Sequence, residues 1–259
     1  MEENLNKNLE SKGYGCPCVC ESHQILRLRI KGEIIPNLKG EKRIGVIKRL
    51  SVWDRKTESE PIEKVETEMT VFKKYWYESL GQWGELIVIL DKSEKTINSV
   101  DEIENNLDDI FKFINGKEDE YYKKVITLGI KSLFESREIS YWDKTVYFIY
   151  GVNSTGESAG VALLFAFYSA FFEVGIPSKL SATGCIDKEG NIKSISGLKE
   201  KFLCVLWNEK SDSLILPQEN YEEVQKISKV YYKRFPGVSK KVSFHPVSHC
   251  KDLIKLLLE

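Results

Sequence analysis

Apolar positions recur along this chain at two different spacings. Val100, Ile103, Leu107, Ile110, Phe111 and Ile114 fall mostly three or four residues apart, as do Tyr122, Val125, Ile126, Ile130 and Leu133. That spacing lines up one face of a helix, so helices are predicted over about 100–115, closed by Gly116, and 118–136. From Ser158 to Phe172 no charged residue interrupts the chain, which predicts a helix buried on all sides and running to about Val174. Further helices are predicted over about 198–208, 219–234 and 250–258. Strand signals fill the intervals. Ile25–Ile30 and Glu33–Leu38 can pair through Lys31-Gly32, with Pro36 confining the second piece to an edge. Residues 43–53 and 62–73 make a second candidate hairpin around the polar stretch 54–60. Glu85–Leu90 and Thr145–Tyr150 read as buried strands, and 179–186 with 191–195 as a hairpin around Asp187-Lys188-Glu189-Gly190. Leu214–Leu216, stopped by Pro217, and 241–244 are the last strands. Strands alternating with helices predict an α+β, layered α/β fold, preceded by a polar arm over residues 1–22.

Composition narrows the class. At 259 residues and 42% apolar content the chain can bury a substantial core in one large domain or two modest ones. With 38 basic and 39 acidic residues the net charge is −1, so no dominant basic field invites nucleic acid. The first 15 residues lack an apolar signal segment, and the uncharged run of 15 residues is shorter than the ~20 a membrane span needs. The expectation is a cytoplasmic protein with no membrane contact, in which disulfides do not form. Cys16, Cys18 and Cys20 cluster just before His23, while Cys185, Cys204 and Cys250 are scattered. C-x-C-x-C could hold a soft metal, with His245 or His249-Cys250 completing the set if the termini meet. Zinc sites favour C-x2-C, so free thiols are the preferred reading, and no metal or cofactor is assigned.

Three stretches could carry chemistry. Gly156-Glu157-Ser158-Ala159-Gly160 fits the nucleophile pattern G-x-S-x-G, which needs a strand leading straight into the turn. Here the loop 151–157 intervenes, and nothing local marks His245 or His249 as a partner base. On the pentapeptide alone Ser158 reads equally as a helix cap. Gly151-x4-Gly156-Glu157-Ser158 mimics a phosphate loop, but Glu157 stands where the lysine belongs and would repel phosphate, so nucleotide binding is rejected. Lys199 and Lys201 both flank an apolar stripe of Leu198, Phe202, Val205 and Leu206, and periodicity does not choose between them. A serine paired with a lysine makes a hydrolase only if the lysine sits in a partly dry pocket that releases its proton.

Six pieces, in order, carry a resemblance: Gly156–Gly160, Gly175-Ile176-Pro177, Ala182-Thr183-Gly184, Gly190-Asn191-Ile192, Ile195–Lys201 and Leu216-Pro217-Gln218-Glu219-Asn220. Together they resemble the proteolytic domain of the Lon protease family. Weaker similarity over 43–70, around Glu138-Ile139-Ser140 with 145–150, and over 246–253 extends the resemblance to 43–259. Residues 71–118 match poorly, as an insertion or divergent segment would, and 1–42 form an arm or β-rich extension without a counterpart. The resemblance implies a Lon-type fold and an endopeptidase working through an acyl-enzyme, with Ser158 as nucleophile and Lys201 as general base. Thr183 would orient the lysine by hydrogen bond. Gly156 and Ala159 would support a turn whose N–H groups suit a developing oxyanion, and Glu157 would pair with Lys201 until substrate arrives. Family members fuse this domain to an ATPase, and no Walker motif is present here. The implied activity is therefore ATP-independent, directed at a specific protein substrate or one presented by a partner chain, in a homo-oligomer. Two other readings stay open: a non-catalytic binding or scaffold module of the same fold, and an α/β-hydrolase-type esterase using Ser158 and His245.

Overall fold

The computed structural model describes residues 43–54, 79–115, 120–150, 157–177, 179–207 and 211–259. In chain order these form β1 (Arg43–Asp54), β2 (Ser79–Ile97), α1 (Val100–Glu104), α2 (Leu107–Ile110), β3 (Phe111–Asn115), α3 (Glu120–Glu135) and β4 (Trp142–Tyr150). A 3₁₀ turn over Glu157–Ala159 leads into α4 (Gly160–Phe172), then β5 (Leu180–Ala182), β6 (Cys185–Ile186), β7 (Ile192–Lys193) and α5 (Leu198–Trp207). The chain closes with β8 (Ser213–Pro217), α6 (Tyr221–Arg234), β9 (Ser243–Val247) and α7 (Cys250–Leu258).

One seven-stranded sheet organises the molecule, in the order β3-β4-β2-β1-β5-β8-β9, with β6 and β7 as a separate ribbon. Its first half is mainly antiparallel: β1 on β2 and β2 on β4, with β3 parallel to β4 at the edge. Its second half is parallel, because β5, β8 and β9 are joined by crossover helices α5 and α6. Side chains alternate across this sheet. Ile215 joins the core beneath α3, α4 and α7, whereas Leu214 and Leu216 join the core beneath α5 and α6. Helices therefore cover both faces, and the layered α/β expectation is met.

The uncharged run is α4, with every residue from Gly160 to Ala170 buried. It has no polar face because the sheet lies on one side and α3 and α7 on the other. Its approach to α3 is close: a Cβ on Gly129 would stand 2.6 Å from Leu164 Cδ1. Among the described residues no helix is long and apolar enough to cross a membrane.

Several predicted elements differ. β1 pairs along its whole length with Ser79–Leu90, and the hairpin partner expected over 62–73 lies outside the described residues. So do 25–30 and 33–38. The helix expected over 100–115 breaks at Asn105-Asn106, whose side-chain amides donate back to the carbonyls of Asp101 and Glu102. Its last third, with alternating Phe111 and Phe113, is instead edge strand β3. The expected hairpin of 179–186 with 191–195 splits at Thr183-Gly184. Residues 180–182 enter the main sheet, and only 185–186 pair with 192–193.

Candidate active site

The serine turn is fastened to the segment between β5 and β6. Gly184 N–H donates to the Ser158 carbonyl at 2.8 Å, and Thr183 Oγ1 donates to the same oxygen at 3.2 Å. Val161 N–H returns a bond to the Gly184 carbonyl at 3.0 Å, and Thr183 N–H donates to Ile215 of β8 at 3.0 Å. The backbone carrying Ser158 is thus anchored to the parallel half of the sheet. The Ser158 side chain does not cap α4, whose N-cap is Ala159 without a side-chain bond. Ser158 is partly exposed and Ala159 buried. Gly156 lies outside the described residues.

The choice between the two lysines is made by burial. Lys199 is exposed, whereas Lys201 is only 3% exposed, on the face of α5 that buries Leu198, Phe202 and Val205. No hydrogen bond or ion pair joins Lys201 Nζ to another described residue. Burial disfavours its ammonium form and lowers its pKa to about 8, with Cys185 and Glu200 opposing the shift. Cys185, half-buried on β6, lies within electrostatic reach of both Glu157 and Lys201. Burial and Glu157 push its thiol up, and Lys201 pulls it down. Cys185 is thus a shared electrostatic neighbour of Lys201 and of the turn that carries Ser158.

The turn that starts α5 is pinned from the far side of the chain. Ile195 N–H donates to Asn220 Oδ1 at 2.9 Å, and Asn220 Nδ2 donates to the Ile195 carbonyl at 3.3 Å. Ser194 N–H donates to Glu219 Oε2 at 3.0 Å. Leu216–Asn220 therefore acts on the site through backbone geometry, by fixing where the helix of Lys201 begins.

Two expected contacts take another form. Thr183 gives its hydroxyl proton to the Ser158 carbonyl rather than to Lys201, so it fixes the backbone of Ser158. Glu157 is exposed, and no ion pair joins it to Lys201; such a pair would require Glu157 to leave water for a buried partner. His249 caps α7 in a capping box with Asp252. His245 stands on edge strand β9 opposite Ile215. Among the described residues no three His, Cys, Asp or Glu side chains converge as metal ligands; Cys16, Cys18 and Cys20 lie outside them.

Tyr121 is a residue that periodicity passes over, because its neighbour Tyr122 occupies the apolar stripe of α3. Its hydroxyl accepts the Ile186 N–H at 2.8 Å. It also lies over the start of α4, where a Cβ on Gly160 would run into the phenol oxygen. Burial pushes the phenol pKa up, so Tyr121 stays neutral at physiological pH. The doublet Tyr121-Tyr122, with one ring off the stripe, is the signal that could have marked it.

Residues 146–259 match the family model of the Lon protease (S16) C-terminal proteolytic domain. The Lon protease of Buchnera aphidicola subsp. Baizongia pistaciae is 33% identical over 104 residues, covering 40% of this chain and 12% of that protein. The Lon protease of Endomicrobium trichonymphae is 33% identical over 108 residues, 42% of this chain and 12% of its own length. That of Aquifex aeolicus is 32% identical over 107 residues, 41% and 13% respectively. The chain spans about an eighth of the length of these curated relatives.

Proposed function

We propose, on the match of residues 146–259 to the Lon protease C-terminal proteolytic domain, that this protein is a serine endopeptidase working through a Ser158–Lys201 dyad. Neutral Lys201 takes the Ser158 Oγ proton as that oxygen attacks the scissile carbonyl. The resulting ammonium protonates the departing amine, leaving an acyl-enzyme. Water then attacks the ester, with Lys201 taking its proton and returning it to Ser158. Backbone N–H groups of the 157–160 turn, at the positive end of α4, stabilise the oxyanion.

The observation that carries this reading is the burial of Lys201. A lysine left in water at pH 7 holds its proton too firmly to act as a base, whereas one with a pKa of about 8 is partly neutral there. The activity should follow that group. kcat/KM for a fluorogenic peptide is expected to rise with pH through about 8 and then level. Ser158→Ala should abolish fluorophosphonate labelling, and Lys201→Ala should slow acylation by roughly 10²–10⁴-fold. His245→Ala should leave it unchanged. Loss of acylation in His245→Ala with retention in Lys201→Ala would reject the dyad in favour of a serine–histidine esterase. Because the steps consume only water, hydrolysis of an already unfolded protein should need no nucleotide. A strict requirement for added ATP would reject that part of the proposal.

A further inference from the structure

The basic residues of this chain are unevenly placed. From Val224 through Lys251 there is no Asp or Glu, but there are seven Lys and Arg, in a chain of net charge −1. Four of them, Lys226, Lys229, Lys233 and Arg234, are exposed on α6. Beside them lies a hollow of about 390 Å³ between α5 and α6, lined by Lys199, Lys226, Ile227, Val230, Tyr231 and Arg234. Its floor is apolar and its rim is cationic. Val230, 61% exposed, is among the few large apolar side chains left open to water in the described residues. Lys226, Val230 and Arg234 follow one another at intervals of four, so they share one face of α6.

We propose that this hollow docks an acidic peptide segment bearing an apolar anchor, a substrate-recognition site separate from the residues that act on the peptide bond. The charge pattern selects the occupant: carboxylates pair with the rim while one aliphatic or aromatic side chain covers Val230 and Ile227. A flat array of phosphates would engage the rim but leave the apolar floor uncovered. The hollow is coupled to the candidate site through α5, which turns exposed Lys199 toward the hollow and buries Lys201 two residues later. A chain held there runs beside the helix that carries the base. As a recognition site for substrate, the hollow rests on the peptidase reading above; as a binding site, it can be tested without it.

The experiment uses the full chain with Ser158→Ala, so that binding is read without turnover. The probe is a fluorescein-labelled peptide in which Asp and Glu surround a central Leu-Phe, and the readout is anisotropy. The same peptide with Lys replacing the acids is the control. Preference for the acidic peptide, weakening as salt rises, is expected. Lys226→Glu with Arg234→Glu, and separately Val230→Asp, should each lower affinity by about 10-fold or more, with unchanged circular dichroism. Lys226→Gln with Arg234→Gln should give an intermediate loss. With Ser158 restored, the same changes should raise KM for a protein substrate containing that acidic segment and leave kcat for a short uncharged peptide unaltered. Equal binding of both peptides, or unchanged affinity in the variants, would overturn the proposal. So would displacement by oligonucleotide or anionic vesicles that is indifferent to Val230→Asp, or a change of oligomeric state in the variants, which would assign the hollow to contact between copies. Acidic-peptide binding without any hydrolysis by the Ser158 protein would instead reject the peptidase reading and leave the docking site standing.

Discussion

Holding Lys201 in the dry face of α5 costs the fold stability. Its proton is bound more weakly in the native protein, with a pKa of about 8, than in the unfolded chain, near 10.5. Below pH 8 the buried ammonium therefore costs on the order of 3 kcal/mol. That cost fades as pH rises from about 8 to 10.5, where the unfolded chain still binds the proton and the native one does not. Lys201→Met keeps the length of the side chain and removes the charge. It should be inactive yet more stable than the parent by about 1–3 kcal/mol at pH 7. Urea titrations should show that gain vanishing near pH 10.5, and a Lys201→Met protein less stable at pH 7 would show that the ammonium is not paying a burial penalty. The sequence could offer Lys199 and Lys201 only as equals, because a two-residue step on a helix flanking one stripe leaves both plausible; burial separates them. Tyr121 was illegible for a related reason. Its hydroxyl accepts a bond from the backbone of Ile186, 65 residues away, and no periodicity records such a contact. Tyr121→Phe keeps the ring over Gly160 but strips Ile186 N–H of its acceptor. The expected result is a fall in kcat with little change in the pH profile, since Lys201 keeps its surroundings. A shifted pH midpoint would mean that Tyr121 acts on the base instead of on the turn.

At the scale of elements, strong periodicity was read well and broken periodicity was not. The spans of α3, α4, α5, α6 and α7 follow the apolar spacing to within a few residues, because each buries a continuous stripe or, for α4, its whole surface. The helix expected over 100–115 fails where Asn105 and Asn106 satisfy preceding carbonyls with their own amides, after which the sheet edge takes the chain as β3. The hairpin expected over 179–195 splits for a different reason: strand pairing is a long-range choice, and local alternation does not reveal it. The serine turn and the start of α5 were visible as motifs, yet what fixes them was not. Asn220 shows the mechanism, since it is 4% exposed and bonds both polar groups of Ile195. Asn220→Ala leaves those groups buried without partners and should destabilise the protein by roughly 1–3 kcal/mol. It should also lower kcat more than it raises KM, because the helix start that places Lys201, the proposed base, would move. Asn220→Asp, which can still accept the Ile195 N–H, should recover part of the loss, and equal impairment of both variants would count against this account. At Gly129 an Ala would meet Leu164 at 2.6 Å, so Gly129→Ala should cost about 1–3 kcal/mol of stability while leaving the pH profile of hydrolysis unmoved.

Across the whole molecule the decisive feature is the seam between the antiparallel and parallel halves of the sheet. β1 joins them, pairing with β2 over twelve residues on one side and with β5 only at Lys48–Ser181 and Arg49–Ala182 on the other. The stretch that matches the Lon family begins at residue 146, so the catalytic candidates lie mostly in the parallel half. Yet β5 reaches the rest of the sheet only through β1, and the face of α4 rests on β2, where Leu86, Val88 and Leu90 are at most 2% exposed. A fragment limited to 146–259 would leave that face of α4, a helix with no charged residues to turn outward, in contact with water. It would also leave β5 with an open edge next to Thr183. Such a fragment should be insoluble or molten, with no sharp thermal transition and no fluorophosphonate labelling of Ser158. The chain from residue 43 to 259 should melt in one transition and label. Supplying residues 43–145 as a separate chain should restore some labelling, because the missing strands bind through the same β1–β5 and β2–α4 contacts. Should 146–259 alone melt cooperatively and label at the full rate, the antiparallel half would be an accessory to the site and not part of its foundation.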